Sequence, residues 1–420
     1  MVAEYSEGVH NLRMGNTGIL NITMPERVSY IIERLEDAGH EAYAVGGCVR
    51  DSMLGREPQD WDITTSALPE ETKSIFTRTV DTGIKHGTVT AMFGKEGYEI
   101  TTYRVDGKYS DGRHPDSVAF TRSLEEDLKR RDFTINAMAC NSNGLVDMFG
   151  GAADLENKLI RCVGVPEARF GEDALRILRA VRFSAQLGFD IDPATLDAAK
   201  KLAPTLENIS AERIHAELHK LLMSDHPDRL KLLHELGIDR IILPELEHVA
   251  QRSLLDELCE RMAAAPAVTP VKWAMLLLYT GSASEIMHRL KFDNQTIYTV
   301  KALLRFREAP AASLDPAGMR KLMSDAGCEL MEPLFDFIHA SSPELDLSGA
   351  RQLYRSILEA GDCTDIKSLA VNGHDLMQAG IPAGKEVGKT LDLLLAAVLA
   401  DPSLNTREKL LELALNNKQD

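Results

Sequence analysis

Strand-like alternation in this chain ends near residue 152, and beyond it the long apolar patterns repeat at helical spacing. GEDALRILRAVRFSAQLG and SAERIHAELHKLLMSD place apolar residues every third or fourth position, and few strand candidates follow up to the C-terminus. Before that point both patterns occur. Residues 25–40, PERVSYIIERLEDAGH, have helical spacing and lead into EAYAVGG, a short strand entering a glycine turn. A helix at VRDSMLG, a strand at DWDITTS and a helix at PEETKSIF follow, and VTAMFGKEGYEITTYRV reads as two strands joined by the turn GKEG. The class is therefore α+β, a mixed-sheet head followed by all-α domains. At 420 residues the chain is too long for one core.

Composition narrows the function. Hydrophobic residues at 44% and charged residues at 26% exclude a disordered chain. No apolar stretch is long enough to span a bilayer, and MVAEYSEGVHNLRMGN lacks the basic start and apolar run of a signal peptide, so a cytoplasmic protein is expected. Cys48, Cys140, Cys162, Cys259, Cys328 and Cys363 are scattered and never form a CxxC pair, which predicts reduced, mostly buried thiols rather than a zinc site or disulfides. With 47 Lys+Arg against 64 Asp+Glu, a net charge of −17, any nucleic-acid contact must be local to one basic groove.

The chemistry-bearing signal is AVGGCVRD followed by QDWDIT. Gly46 and Gly47 form a tight turn after a strand, and alternation puts Asp60 and Asp62 on one face of the next strand. Two such carboxylates are what a pair of magnesium ions needs: oxygen ligands, negative charge and room for substrate phosphate. Glycines without Cβ let backbone N–H groups approach a triphosphate, and Arg50 supplies a cationic fork. The plainer alternative, ordinary acids beside a turn, is disfavoured by the GG…RD run preceding the pair.

A second signal is Glu172, Asp173 and Arg176. Read as one helix, Asp173 and Arg176 stand i and i+3 and address one planar object. An acceptor beside a donor fits the exocyclic amino group and unprotonated ring nitrogen of cytosine and adenine, and mismatches guanine and uracil. An intrahelical salt bridge is the alternative. Arg176, Arg179 and Arg182 line one flank of the same helix, where phosphate binding and snorkelling cover of a helix junction are equal readings. The polar, glycine-rich DGKYSDGRHPDS at 106–117 predicts a mobile loop. His374-Asp375 superficially resembles a phosphohydrolase dipeptide, but without a matching ligand set it reads as helix-cap or surface chemistry.

GGCVRD with DWDIT, RRDFTINAMA at 130–139, GEDALRILRAVRF at 171–183 and SAERIHAELHKLL at 210–222 together resemble the class II tRNA nucleotidyltransferases, the CCA-adding family that includes bacterial poly(A) polymerase. NGHDLMQAGIPAGKEVG is similar to the C-terminal region of bacterial members, and residues 1–24 lie outside the resemblance. It implies a head with a mixed five-stranded sheet at 25–152, a helical neck at 153–222, a body at 223–320 and a tRNA-holding tail at 321–420. It implies template-independent addition of CCA to tRNA from CTP and ATP, with Mg2+ bridged by Asp60 and Asp62. Glu99 is the third carboxylate it implies, since Glu96 falls in the turn. Arg131, Asp132 and Asn136 would lie near the sugar, where a carboxylate and an amide can bond a ribose hydroxyl. The residues also allow Asp132 or Thr134 to cap a helix. Partners would be tRNA, CTP and ATP, without a membrane; no protein partner is evident, and a homodimer is left open. The intact DGKYSDGRHP argues for A addition, and no basic poly(A)-polymerase signature occurs at VDTGIKHGTVTA. Full CCA addition and A addition alone are both left open. A dead head that only binds RNA is opposed by Asp60, Asp62 and Arg176.

Overall fold

The computed structural model describes residues 12–13, 19–20, 22–107 and 118–416. The expected loop at 106–117 therefore lies outside the described residues apart from Asp106 and Gly107, as does most of the 1–24 extension. The chain forms two compact units, Met1–Glu247 and His248–Asp420, with the boundary inside the segment expected as the body.

The first unit is built on a mixed sheet. Its strands are β1 (Ala42–Val45), β2 (Ile63–Thr65), β3 (Thr79–Gly83), β4 (Thr88–Phe93), β5 (Glu96–Thr102), β6 (Met138–Asn141) and β7 (Gly144–Asp147), ordered β7-β6-β1-β2-β5-β4-β3. Seven strands replace the five expected. One pairing is parallel, β2 with β5, where Ile63 lies beside Ile100 and Thr65 beside Thr102; the others are antiparallel.

Helix α1 (Glu26–Asp37) buries Val28, Ile31, Ile32 and Leu35, the stripe its spacing predicts. Helix α2 (Gly47–Met53) leaves directly from the glycine turn, and α3 (Pro69–Ile75) starts with Pro69, whose missing N–H costs nothing in a first turn. Helix α4 (Leu124–Lys129) seats Leu124 and Leu128 in a core with Val45, Tyr103, Ala137 and Ala139, each leucine adding about 1.5–3 kcal/mol of burial. Asp147 then caps α5 (Gly151–Glu156) by accepting the N–H groups of Gly151 and Ala152.

Four longer helices follow in this unit, α6 (Pro166–Glu172), α7 (Leu175–Leu187), α8 (Pro193–Leu202) and α9 (Ala211–Leu222), before the short helices Lys231–Glu235 and Asp239–Ile242. Helix α7 packs on α9, and α6 on α8. Helix α7 ends at Gly188, φ +69°, where a Cβ would stand 2.6 Å from His226 Nε2, so only glycine fits.

The second unit is helical throughout its described residues. Leu376, Leu394, Val398 and Leu410 centre one of its cores. His374-Asp375 is helix-cap chemistry, as its sequence suggested: Asn372 Oδ1 accepts both backbone N–H groups, and Asp375 pairs with Arg407 at 2.5 Å. Among the described residues, no helix is long and apolar enough to cross a membrane.

Candidate active site

The glycine turn closes β1 over β6. Gly46 donates its N–H to Met138 O at 3.1 Å and adopts φ +84°, ψ −125°; a Cβ there would lie 2.8 Å from Arg131 Nη1. Gly47 opens α2, which carries Arg50.

Strand β2 begins at Ile63, so Asp60 and Asp62 precede it rather than sharing it. Asp62 nonetheless continues the ladder, its carbonyl accepting the Val45 N–H at 3.0 Å. Both carboxylates are exposed. Protein crowding around Asp62 raises its carboxyl above the usual range, Arg131 draws it down, and the like charge of Asp60 pushes it up.

One step back from the Ile63–Ile100 pairing, Asp62 stands beside Glu99 on β5. Glu96 is not in a turn; it is the first residue of β5, and the strand's alternation turns it to the face of Tyr98, whose hydroxyl donates to it at 3.2 Å. Among the described residues no three Asp, Glu, His or Cys side chains form a ready metal cage, so Glu99 neighbours Asp62 in register without closing a cage with the pair.

A continuous polar run ties the turn to the helices. Arg50 Nη1 donates to Asn136 Oδ1 at 2.6 Å, Asn136 Nδ2 donates to Asp132 Oδ1 at 3.1 Å, and Arg179 grips Asp132 Oδ2. Burial would raise the Asp132 carboxyl, yet Arg179 and Asn136 hold it far below the usual carboxylate range. Neither Asp132 nor Thr134 caps a helix: the turn Thr134–Asn136 is 3-10, is preceded by Phe133 and has no side-chain cap. Arg50, Arg179 and Arg182 surround the Phe183 ring at 5.1, 5.4 and 3.8 Å. Arg182 Nε lies 2.5 Å from Glu217, and burial lowers its guanidinium to about 10 against the pull of that carboxylate. Arg179 and Arg182 thus have their charges matched within a helix junction.

Asp173 and Arg176 are not on one helix. Asp173 is the extended residue, φ −142°, between α6 and α7. Its carboxylate accepts the Leu175 N–H at 3.0 Å and pairs with Arg213 at 2.7 Å. Arg176 bonds Glu172 at 2.6 Å, Arg169 O at 3.1 Å and Arg130 O at 2.8 Å, so it ties α7 to α6 and to the end of α4. A cleft of about 220 Å3 lined by Val105, Glu126, Lys129, Arg130, Arg169 and Glu172 opens beside these partners.

Sequence reading missed Asp127. Its carboxylate is fully buried and bonds Arg130 Nε at 2.9 Å and Thr64 Oγ1 at 3.2 Å. Within LEEDLK it looks like one more acid on a solvated helix face, and only its place between Leu124 and Leu128 hints otherwise.

Comparison with known proteins gives this arrangement a class. The Poly A polymerase head domain matches residues 42–161, the probable RNA- and SrmB-binding site of polymerase A matches 188–249, and tRNA nucleotidyltransferase domain 2 matches 269–414. The fold is that of a nucleotidyltransferase, a class that normally works with divalent metal ions. The CCA-adding enzyme of Leuconostoc citreum (strain KM20) is 40% identical over 391 residues, covering 91% of this chain and 94% of that protein. That of Latilactobacillus sakei subsp. sakei (strain 23K) is 42% identical over 397 residues, covering 91% and 96%. The crystal structure of the Bacillus stearothermophilus CCA-adding enzyme in complex with CTP matches with a TM-score of 0.81 at 33% identity, covering 93% of this chain and 96% of that one. The chain belongs to the CCA-adding enzyme family.

Proposed function

We propose that this protein adds CCA to the 3′ end of tRNA from CTP and ATP, without a nucleic-acid template and with release of pyrophosphate. The observation that carries the reading is the polar run from Arg50 through Asn136 and Asp132 to Arg179, which joins the glycine turn beside Asp60 and Asp62 to α7, the helix that carries Arg176 and follows Asp173. Whole-length similarity to CCA-adding enzymes supports it.

The RNA 3′-hydroxyl attacks the α-phosphate, a new P–O bond forms, and the bond to pyrophosphate breaks. Asp60 and Asp62 would hold Mg2+, with Glu99 as third carboxylate. Hard oxygen donors suit that ion, and the like-charge push of Asp60 on Asp62 is a repulsion that a cation relieves. When bound, Mg2+ supplies the positive charge that an attacking hydroxyl and a leaving pyrophosphate need. Gly46 and Gly47 open the turn to the triphosphate, with Arg50 and Arg131 as cations beside it. Asp132 and Asn136 bond the ribose, and Arg179 and Arg182 hold α7 in place behind them. Asp173 and Arg176 read the base edge by exchanging part of their present bonding for cytosine or adenine. The helical segments at 223–320 and 321–420 hold the tRNA. The protein is cytoplasmic.

The test uses tRNA transcripts ending before the first C, after CC and after CCA, each incubated with one labelled triphosphate. C must enter the first, A the second and nothing the third; entry of A alone would replace this reading with A addition.

A further inference from the structure

Asp127 is fully buried, and among the described residues Arg131 is the group assigned to the transfer reaction that lies against its carboxylate. It is engaged from several elements. Arg130 reaches Oδ1 through Nε at 2.9 Å and Nη2 at 2.8 Å, Thr64 Oγ1 lies 3.2 Å from Oδ2, and the Arg104 N–H points at Oδ1 from 3.4 Å. Thr64 stands two positions beyond Asp62, on the same face of the β2 line.

Arg131 is held more loosely. Its Nη2 is 3.7 Å from Asp127 Oδ2, beyond hydrogen-bond range, and its buried Nε has no partner. Its Nη1 fills the space above Gly46, against the turn whose Val45 N–H is bonded by the Asp62 carbonyl. Asp127, 3.7 Å away, and Asp62, beyond the turn, both attract this one guanidinium. A cation drawn onto Asp62 would occupy the oxygens a divalent ion needs.

We propose that Asp127 is a positioning residue that holds Arg131 back from Asp62 and so keeps that carboxylate available to a divalent cation. The inference rests on the assignment of Asp62 as a metal ligand. Thr64 and Arg130 alone give Asp127 a structural role; what distinguishes the proposal is that its effect runs through Arg131.

Binding of Mn2+ alone to the full chain, without nucleotide or RNA, is the measurement, by calorimetry or by the paramagnetic resonance of free Mn2+. Asp127→Asn keeps the shape and removes the charge, and should raise the apparent Kd for Mn2+ about tenfold through the altered Coulomb balance. Arg131→Ala should lower that Kd, and the double variant Asp127→Asn/Arg131→Ala should bind as Arg131→Ala does. A defect that persists in the double variant overturns the proposal, as does Asp127→Asn binding Mn2+ like wild type while Asp62→Ala loses it. Should Asp62→Ala also bind like wild type, the metal assignment falls and takes this inference with it. If Asp127→Asn does not fold, Arg131→Ala alone decides: unchanged or weaker Mn2+ binding overturns the proposal.

Discussion

Arg179 closes on Asp132 across 47 positions of sequence, its Nε and Nη2 both meeting Oδ2, at 2.8 and 2.5 Å. The carboxylate is buried and also serves the Phe133 N–H at 2.8 Å and the Asn136 amide, so its charge holds three elements together.

Asp132→Asn leaves the Arg179 guanidinium with only the more distant Glu217, 3.9 Å away, as counter-charge and should lower unfolding stability by about 3 kcal/mol, read from urea denaturation. The folded carboxyl lies below the unfolded value of about 3.9, so its contribution is complete above that pH and is lost as pH falls toward the folded value. Stability measured from pH 6 downward should therefore drop less in the variant. An acid limb of equal depth in both proteins would take Asp132 out of that role.

Asp60→Ala or Asp62→Ala should abolish incorporation of both C and A while leaving tRNA binding near wild type, since each removes an oxygen ligand and few RNA contacts. Activity within about tenfold of wild type would defeat the metal assignment. Glu99→Ala should be as damaging and Glu96→Ala harmless, because the two point to opposite faces of β5. Filter binding and single-nucleotide extension separate these outcomes.

Arg176→Ala should relax discrimination as well as slow the reaction. Loss of a donor to the ring nitrogen also removes the penalty against a ring N–H, so relative kcat/KM for CTP over UTP should fall roughly tenfold to a hundredfold. The side chain also bonds Arg130 O and Glu172, and Tm should fall too. Unchanged CTP preference with a lower Tm would leave Arg176 as a tie between helices and nothing more.

Lys272 offers an alkaline test in the second unit. It is buried, its Nζ donates to Met262 O at 2.6 Å, and burial lowers its pKa to about 8. The folded value lies below the unfolded one near 10.4, so stability from this group is absent below about pH 8 and appears as pH rises through that interval, by about 1–3 kcal/mol. Lys272→Met should erase the rise in urea midpoints between pH 8 and 10; a rise that survives must come from other groups.

The sequence carried the fold where a local signal existed. The stripe of α1, the GG turn and the β4–β5 hairpin each follow from spacing or a glycine, and each is present, the hairpin turning at Gly94 and Lys95 rather than over all of GKEG. Strands β6 and β7 were missed because MACN and GLVD are too short to show alternation and become strands only by pairing, β6 with β1 and β7 with β6. Strand β3, TVDTG, lies largely exposed and lacks an apolar face. The break at Asp173 has no Pro or adjacent Gly to announce it; it is stabilised by Arg213, 40 positions away. Partners at such distance, like Thr64 for Asp127, leave no trace in periodicity.

The closing of Gly46 onto Met138 has a bearing on biosynthesis. The turn emerges from the ribosome early, but the carbonyl that receives its N–H belongs to β6, which is made only after β2 to β5 and α4 have all been synthesised. During elongation β1 must wait with one edge unpaired, a state prone to mispairing until residue 141 has left the exit tunnel. Slow translation just beyond that point would let the head finish before the helices behind it appear.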